Sequence, residues 1–435
     1  MKFYNREPEL EQLNQLDQQA KNAAIMTVLT GRRRIGKTEL ALHFSKSKTF
    51  IYLFVGRKSE QLLCEEFLLD IQQVFDVPVI GKITQFKEIF ALLLEIAKKQ
   101  AFTLIIDEFQ DFYKINTAIF SDIQKLWDLN KKNSKLHVIF SGSLYSLMHK
   151  IFENNKEPLF GRADQIFYLK QFSIATLTTV LKDHKICNKQ NLFDFYLTTG
   201  CTPKYIDLLL KRNVTNFEEM LNAILMPDSL FLNEGRNVLI EEFGKSYATY
   251  FSILELIARG KNTRSEIESY IDKDVGGYLE KLDKDYNIIS SYKSITAKPK
   301  ARLQRYRIHD QFLKFWFHFI YTNRSAIEMG NFKYVKSSIC KNYQTYSGRV
   351  LEDFFHIKFA ETGHYNCVGH YWEKGFQNEI DLVATNDLQK RLVIAEIKLN
   401  KKKISLNKLK EKSNGLLEHF KGYETEFLAL GIDDI

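Results

Sequence analysis

Short apolar runs alternate with amphipathic stretches over the first half of the chain. Residues 25–30, 49–55, 103–106, 136–140 and 165–169 are apolar and of strand length, while 60–75 and 85–99 carry their apolar side chains at helical spacing. Strands that read as continuous apolar runs, separated by helices, predict a parallel, doubly wound sheet with helices on both faces. An amphipathic helix through Leu13 and Leu16 precedes the first strand. Past about residue 215 the pattern changes. Residues 250–258, 264–271 and 275–285 read as three short helices, and 287–290 and 305–308 as two strands flanking a basic stretch, 293–302. That order predicts a winged helix. Its would-be recognition helix mixes Lys281 and Lys284 with Glu280, Asp283 and Asp285, so DNA binding and a structural lid both remain open. Phe312, Phe315, Trp316 and Phe319 share one helical face and read as core. Beyond residue 330, a helix at 348–355 and strands at 378–384 and 392–398 form a third region. The expected domains are 1–215, 216–330 and 331–435.

Between the first strand and the next helix stands Gly31-Arg32-Arg33-Arg34-Ile35-Gly36-Lys37-Thr38, which fits GxxxxGK[ST] at every fixed position. Glycines let backbone amides approach phosphate oxygens where a side chain would collide. The helix starting there turns its positive end toward the same anion. Lys37 would reach the β- and γ-phosphates of a nucleotide and the Thr38 hydroxyl would help hold Mg²⁺. About 70 residues further on, an apolar strand ends in Asp107 and Glu108. Asp107 suits the Mg²⁺ shell, and Glu108 suits a general base that polarises the attacking water. Another strand ends in Ser141-Gly142-Ser143, making Ser141 or Ser143 a candidate γ-phosphate sensor or a plain strand cap. Arg162 is a candidate arginine finger, in cis or from a neighbouring subunit.

The carboxyl-terminal region holds a second constellation. Glu352 lies on a helix, Asp381 in a strand, and Glu396 and Lys398 two apart on the next strand, hence on one face. Asp381 precedes Glu396 by 15 residues, enough for a hairpin that sets them side by side. Two carboxylates and a lysine around one point suit Mg²⁺-assisted phosphodiester cleavage, with Asp381 and Glu396 binding metal and Lys398 orienting water or stabilising the phosphate. The arrangement resembles the PD-(D/E)XK nuclease pattern, Asp381…Glu396-Ile397-Lys398, with Glu352 as the upstream acid. Lys401, Lys402, Lys403, Lys408, Lys410 and Lys412 add a basic run beside it, readable as a solvated face or a phosphate track.

Composition changes this picture little. A net charge of +9 is compatible with a polyanionic partner such as DNA. Five cysteines without a CxxC pair argue against a zinc site or disulfide framework and suit a reducing cytoplasm. No apolar run approaches the about 18 residues of a membrane span.

The phosphate loop and the Asp107-Glu108 strand end, with Asn5-Arg6-Glu7 near the start and Gly200-Cys201-Thr202-Pro203-Lys204-Tyr205, resemble the archaeal-type P-loop ATPase family, a STAND/AAA+-related branch. In the last box Cys201 stands where the family has a second glycine. From His309 onward the chain resembles the nuclease-like domain often fused to that ATPase. The resemblance implies a P-loop NTPase sheet, a helical or winged-helix middle and a restriction-endonuclease-like α/β tail. It implies ATP and Mg²⁺ as ligands, with Arg6, Gly31, Arg34, Ile35, Gly36, Lys37, Thr38, Glu39 and Pro203 around the nucleotide. Defence and mobile elements are the suspected settings of such fusions, and a homo-oligomer is compatible with them. The expected function is an ATPase coupled to a Mg²⁺-dependent DNA nuclease-like domain. The alternative is an ATP-dependent switch whose tail only binds DNA or protein.

Overall fold

The structure is a computed structural model that describes residues 1–78, 81–298, 300, 303–373, 375 and 377–435. It divides into two compact units, residues 4–170 and residues 171–435 together with 1–3. The expected boundaries at 215 and 330 both fall inside the second unit.

In the first unit, β1 (Ile25–Thr30), β2 (Phe50–Phe54), β3 (Phe102–Asp107), β4 (Leu136–Gly142) and β5 (Gln165–Tyr168) form one all-parallel sheet in the order β2-β3-β4-β1-β5. Every residue of β3 and β4 is buried, as strands covered on both faces require. The helix Phe86–Lys99 shows how the cover forms. Gln85 and Glu88 make a capping box, and Phe86, Ile89, Phe90, Leu93, Leu94 and Ala97 make a buried stripe at helical spacing. Strand order then places the chemistry. β4 lies between β1 and β3, with Thr30 beside Gly142 and Ile106 beside Phe140. The segments leaving the carboxyl ends of β1, β4 and β3 therefore emerge side by side, about 5 Å apart. Phe109, directly after the acidic pair, packs on Phe140 with ring centroids 4.1 Å apart and anchors that end of the sheet in the core.

The second unit begins with helices. Those at Tyr247–Ala258, Arg264–Ile271 and Gly276–Glu280 lead into an antiparallel hairpin of β6 (Ile289–Tyr292) and β7 (Arg305–Ile308). The expected basic stretch between these strands lies partly outside the described residues, at Pro299, Ala301 and Arg302. Phe312, Phe315, Trp316 and Phe319 are all buried, as read from their spacing. Trp316 Nε1 donates to the Leu232 carbonyl at 3.0 Å, and its ring lies where a Cβ on Gly235 would come within 2.2 Å. The helix expected at 348–355 lies within a longer one, Phe332–Glu361. After it, β8 (Cys367–Tyr371), β9 (Ile380–Asn386), β10 (Arg391–Ile397) and β11 (Glu424–Leu430) form a mixed sheet in the order β11-β10-β9-β8. Its β10–β11 pair is parallel, the other pairs antiparallel. The helices Leu406–Lys412 and Asn414–His419 make the crossover that the parallel pair needs. Beyond β6 the chain runs along the free edge of β8. Ser294 bridges His370 in parallel, and Ile295 N donates to His370 O at 2.8 Å.

Among the described residues, no helix is long and apolar enough to cross a membrane.

Candidate nucleotide site and a carboxylate cluster

The loop after β1 closes tightly. Gly31 has φ 147° and Gly36 φ 91°. A Cβ at Gly31 would lie 2.4 Å from Ile35 Cδ1 and 2.5 Å from the Leu169 carbonyl oxygen, so a side chain there would force the loop open. Ile35 is buried and fastens the loop to the core, whereas Arg34 is exposed with φ 73°, a left-handed conformation uncommon for a residue with a Cβ. Arg6 braces the loop. Its Nη2 donates to the Ile35 carbonyl at 3.3 Å and to that of Lys170 at 2.5 Å, and Nη1 pairs with Glu9 at 3.1 Å. Lys37 and Thr38 open the next helix, and Glu39 is exposed in its first turn. Lys37 Nζ donates to the carbonyls of Gly31 and Arg32, both at 2.9 Å. Burial pushes its ammonium down to about 8, partly opposed by the charges of Glu108 and Asp107.

The acids at the end of β3 meet this loop directly. Thr38 Oγ1 donates to Asp107 Oδ2 at 2.6 Å, Tyr52 OH donates to the same oxygen at 3.0 Å, and the Glu108 amide donates to Oδ1 at 3.0 Å. Burial and the neighbouring Asp107 charge push the Tyr52 phenol up, so it stays a donor. Glu108 has φ 52°, and its Oε2 accepts from Gln110 Nε2 at 2.5 Å and Ser143 Oγ at 2.7 Å. Arg33 Nε lies 3.5 Å from that Ser143 hydroxyl. Of the two sensor candidates, Ser143 therefore touches Glu108, while Ser141 Oγ is buried with no hydrogen-bond partner among the described residues. A glycine-lined cradle at a helix start fits phosphates, and a hydroxyl beside a carboxylate fits a magnesium ion that keeps most of its waters.

On the mixed sheet, Asp381 of β9 and Glu396 of β10 are neighbours across an antiparallel pair, and Asp381 Oδ2 accepts the Ile397 amide at 2.8 Å. Burial, helped by the charge of Glu396 and opposed by the Ile397 amide, pushes the Asp381 carboxyl up to about 6. Glu352, on the long helix, is pushed well above the usual range by burial and by the charges of Asp381 and Asp353. Glu396 is clamped on both oxygens, by Lys398 at 3.1 Å and by Lys412 at 3.3 Å. His356 Nε2 lies 2.7 Å from the Asp381 carbonyl oxygen and fixes β9 against the helix. Among the described residues no group of three His, Cys, Asp or Glu is gathered as a ready metal cage. A carboxylate pair nonetheless suits Mg²⁺, which is commonly held by one or two acids plus waters and substrate phosphates.

Comparison with known proteins gives this geometry a family. Residues 3–209 match an ATPase domain predominantly from Archaea. Residues 3–209 are an archaeal-type ATPase domain. Residues 316–412 match a family described as archaeal and bacterial proteins of unknown function, and that match spans Glu352, Asp381, Glu396, Lys398 and Lys412. The uncharacterized protein MJECL04 of Methanocaldococcus jannaschii is 29% identical over 407 residues, 91% of this chain and 87% of that one. Among solved structures, the Walker-type ATPase PABY2304 of Pyrococcus abyssi matches with TM-score 0.56 and 19% identity, covering 72% of this chain and 96% of that one. The ORC2 protein of Aeropyrum pernix, in ADPNP–ADP complexes, matches with TM-score 0.53 and 13% identity over 75% and 95%. These likenesses show the P-loop ATPase fold.

Two expected residues of the ATPase domain fall elsewhere. Arg162 pairs with Asp128 at 2.8 Å and donates to the Pro158 carbonyl at 2.7 Å. It precedes β5, and nearby Asp164 accepts the Met26 amide at the start of β1. From Met26 to Thr30 the strand rises about 13 Å, so Arg162 sits at the amino end of the sheet, opposite the phosphate loop. The expectation of an arginine finger in cis at Arg162 is corrected: it staples a loop. Pro203 lies in the second compact unit, opening the helix Pro203–Leu210. Beside it Cys201 has φ 58°, which is why glycine suits that position, and its thiol is buried. At Gly200 a Cβ would come within 2.8 Å of Phe312 N, so this box is packed for backbone approach inside its own unit.

Sequence reasoning did not single out Tyr52, Gln110, Arg33 or the paired role of Lys412. Arg33 stood in plain view inside the motif, and Lys412 lay in the basic run. Nothing in the pattern of β2 marks Tyr52, whose role appears only when β2 pairs with β3.

Proposed function

We propose that this chain binds and hydrolyses ATP at its phosphate loop and that its tail is a nuclease-like domain acting on phosphodiesters. The observation that carries the first part is the 2.6 Å bond from Thr38 to Asp107, which joins the two nucleotide motifs across the sheet. Lys37 and the loop amides would hold the phosphates, Thr38 and Asp107 would hold Mg²⁺, and Glu108 would take the proton of the attacking water. The ion would supply charge neutralisation on the phosphates. The nucleotide-bound ORC2 relative supports a nucleotide here. Arg6 supports the pocket indirectly, through the loop backbone.

For the tail, the supporting features are the helix–three strands–helices–strand order with its one parallel pair, Asp381 on β9 with Glu396 and Lys398 at the end of β10, and Glu352 on the long helix, near enough to feel the Asp381 charge. Asp381 and Glu396 would hold a divalent ion and Lys398 the phosphate, with the lysine run as a polyanion track and DNA as the preferred substrate. The three helices and hairpin before it support a winged-helix reading of the middle region. A second reading, an ATP-dependent switch, draws on the lysine clamp that neutralises Glu396, since a tail with its acid so paired also suits binding without cleavage.

The test is plasmid nicking with Mg²⁺, with and without ATP, by wild type, Lys37→Ala and Glu396→Ala. Nicking lost in both variants supports one coupled machine. Nicking lost only in Glu396→Ala supports a nuclease whose ATPase serves another step. ATP hydrolysis without nicking moves the tail to a binding role.

A further inference from the structure

An ATPase needs a cation on the phosphoryl group as charge spreads over it, and Arg162 is at the far end of the sheet. The phosphate loop itself carries three consecutive arginines, Arg32, Arg33 and Arg34. Their surroundings differ. Arg34 is exposed at the left-handed turn of the loop, and the Arg32 carbonyl holds the Lys37 ammonium. Arg33 reaches across the end of β4: its Nε is 3.5 Å from Ser143 Oγ, which donates to Glu108 Oε2 at 2.7 Å. Because β4 lies between β1 and β3, this chain of groups spans the gap between the phosphate loop and the base. That gap is where a water activated by Glu108 must meet the terminal phosphoryl held by Lys37. Arg33 is also near enough for its charge to act on the Lys37 ammonium, as the charges of Glu108 and Asp107 do.

We propose that Arg33 is a built-in arginine finger: from within the phosphate loop of the same chain it contacts the transferring γ-phosphoryl group, with Ser143 holding its guanidinium beside Glu108. The proposal rests on the ATPase reading above. In the step it assists, water oxygen bonds to the γ-phosphorus and gives its proton to Glu108. The bond from that phosphorus to the β-bridging oxygen breaks, and ADP leaves with the electron pair. Arg33 keeps its proton throughout and offsets the growing negative charge. A guanidinium offers two parallel donors to phosphoryl oxygens, which an ammonium does not.

The experiment measures ATP turnover, ADP affinity and trapping of ADP with aluminium fluoride, a mimic of the transferring phosphoryl, for the full chain and four variants. Arg33→Ala should lower kcat at least about 100-fold and abolish trapping, while ADP affinity stays within about threefold. Arg33→Lys should recover only part of the rate, and Arg162→Gln should turn over like wild type. Turnover per chain should not depend on protein concentration, as a finger from a neighbour would require. Wild-type turnover and trapping in Arg33→Ala overturn the assignment while leaving the ATPase reading intact, as does equal loss of ADP binding and rate. If wild type neither hydrolyses nor binds ATP better than Lys37→Ala, the ATPase reading itself fails and the proposal with it.

Discussion

At the end of β3, Asp107 and Glu108 are surrounded by donors; in the tail, Glu352 on the long helix and Asp381 on β9 lie near other acids. Asp107 accepts from a threonine, a tyrosine and a backbone amide, and Glu108 from a glutamine and a serine. Glu352 and Asp381 are buried with each other, Asp353 and Glu396 for neighbours, and burial first and those charges second raise their carboxyls. The difference teaches what each site is short of. In the ATPase domain the acids are satisfied and the buried cation Lys37 calls for an anion. In the tail cluster, lysines pair with Glu396 and Asp353, and Glu352 and Asp381 are the acids left without an ion-pair partner among the described residues, which calls for a cation.

The sharpest way to break this contrast is Lys37→Ala, which should weaken nucleotide binding by about 100-fold or more, since it removes charge-assisted bonds in a buried site. Titration calorimetry checks it, and unchanged affinity would mean that the loop does not hold phosphate through Lys37. Next in size is Asp381→Asn. A folded carboxyl raised to about 6 holds a proton that the unfolded one, near 3.9, has released. Wild type should therefore gain stability as pH falls from 7 toward 5 and lose it as pH rises through 6. The variant should lack that gain and be more stable at pH 7 without metal, by about 2 kcal/mol. Melting curves at the two pH values decide this, and Mg²⁺ should raise the melting temperature of wild type but not of Glu396→Gln.

The smallest effect concerns a buried acid outside both sites. Asp194 is pushed up to about 6 by burial, while Tyr343, at 2.6 Å, and Gln190, at 2.9 Å, favour its charged form. Tyr343→Phe should cost about 1 kcal/mol at pH 7 and less at pH 5, where the acid is already protonated. A cost independent of pH would assign Tyr343 a packing role only.

The same contrast explains what could be read from sequence. The phosphate loop is local, and eight contiguous residues specify its glycine turn, its lysine and its helix start, so Gly31, Lys37 and Thr38 were legible before any fold was known. Asp107 and Glu108 followed because a fully buried strand is a conspicuous apolar run. The tail was legible at Asp381, Glu396 and Lys398, where period-two spacing fixes the face. Its edge strands were not. β8 is short and contains Gly369, and β11 begins with three consecutive polar residues, Glu424, Thr425 and Glu426, leaving an apolar run of only four. Arg162 was readable as a finger in cis for a related reason. An arginine before a strand looks the same whether that strand starts or ends at the site, and only the parallel pairing of β5 with β1 shows which end it occupies.

The contact of the hairpin with β8 bears on where this chain can be cut. β8 is an edge strand, and open edges of sheets recruit strands from other molecules into insoluble assemblies. Here Ser294 and Ile295 occupy that edge, the Trp372 amide donates to Ser294 Oγ at 3.2 Å, and Arg305 of β7 pairs with Glu379 and lies over the Trp372 ring. A fragment beginning at residue 331 would keep every candidate residue of the tail yet expose the bare edge, and it should aggregate where one retaining the hairpin stays dispersed. The last hundred residues are thus not a portable module, because their sheet is finished by chain that comes before them.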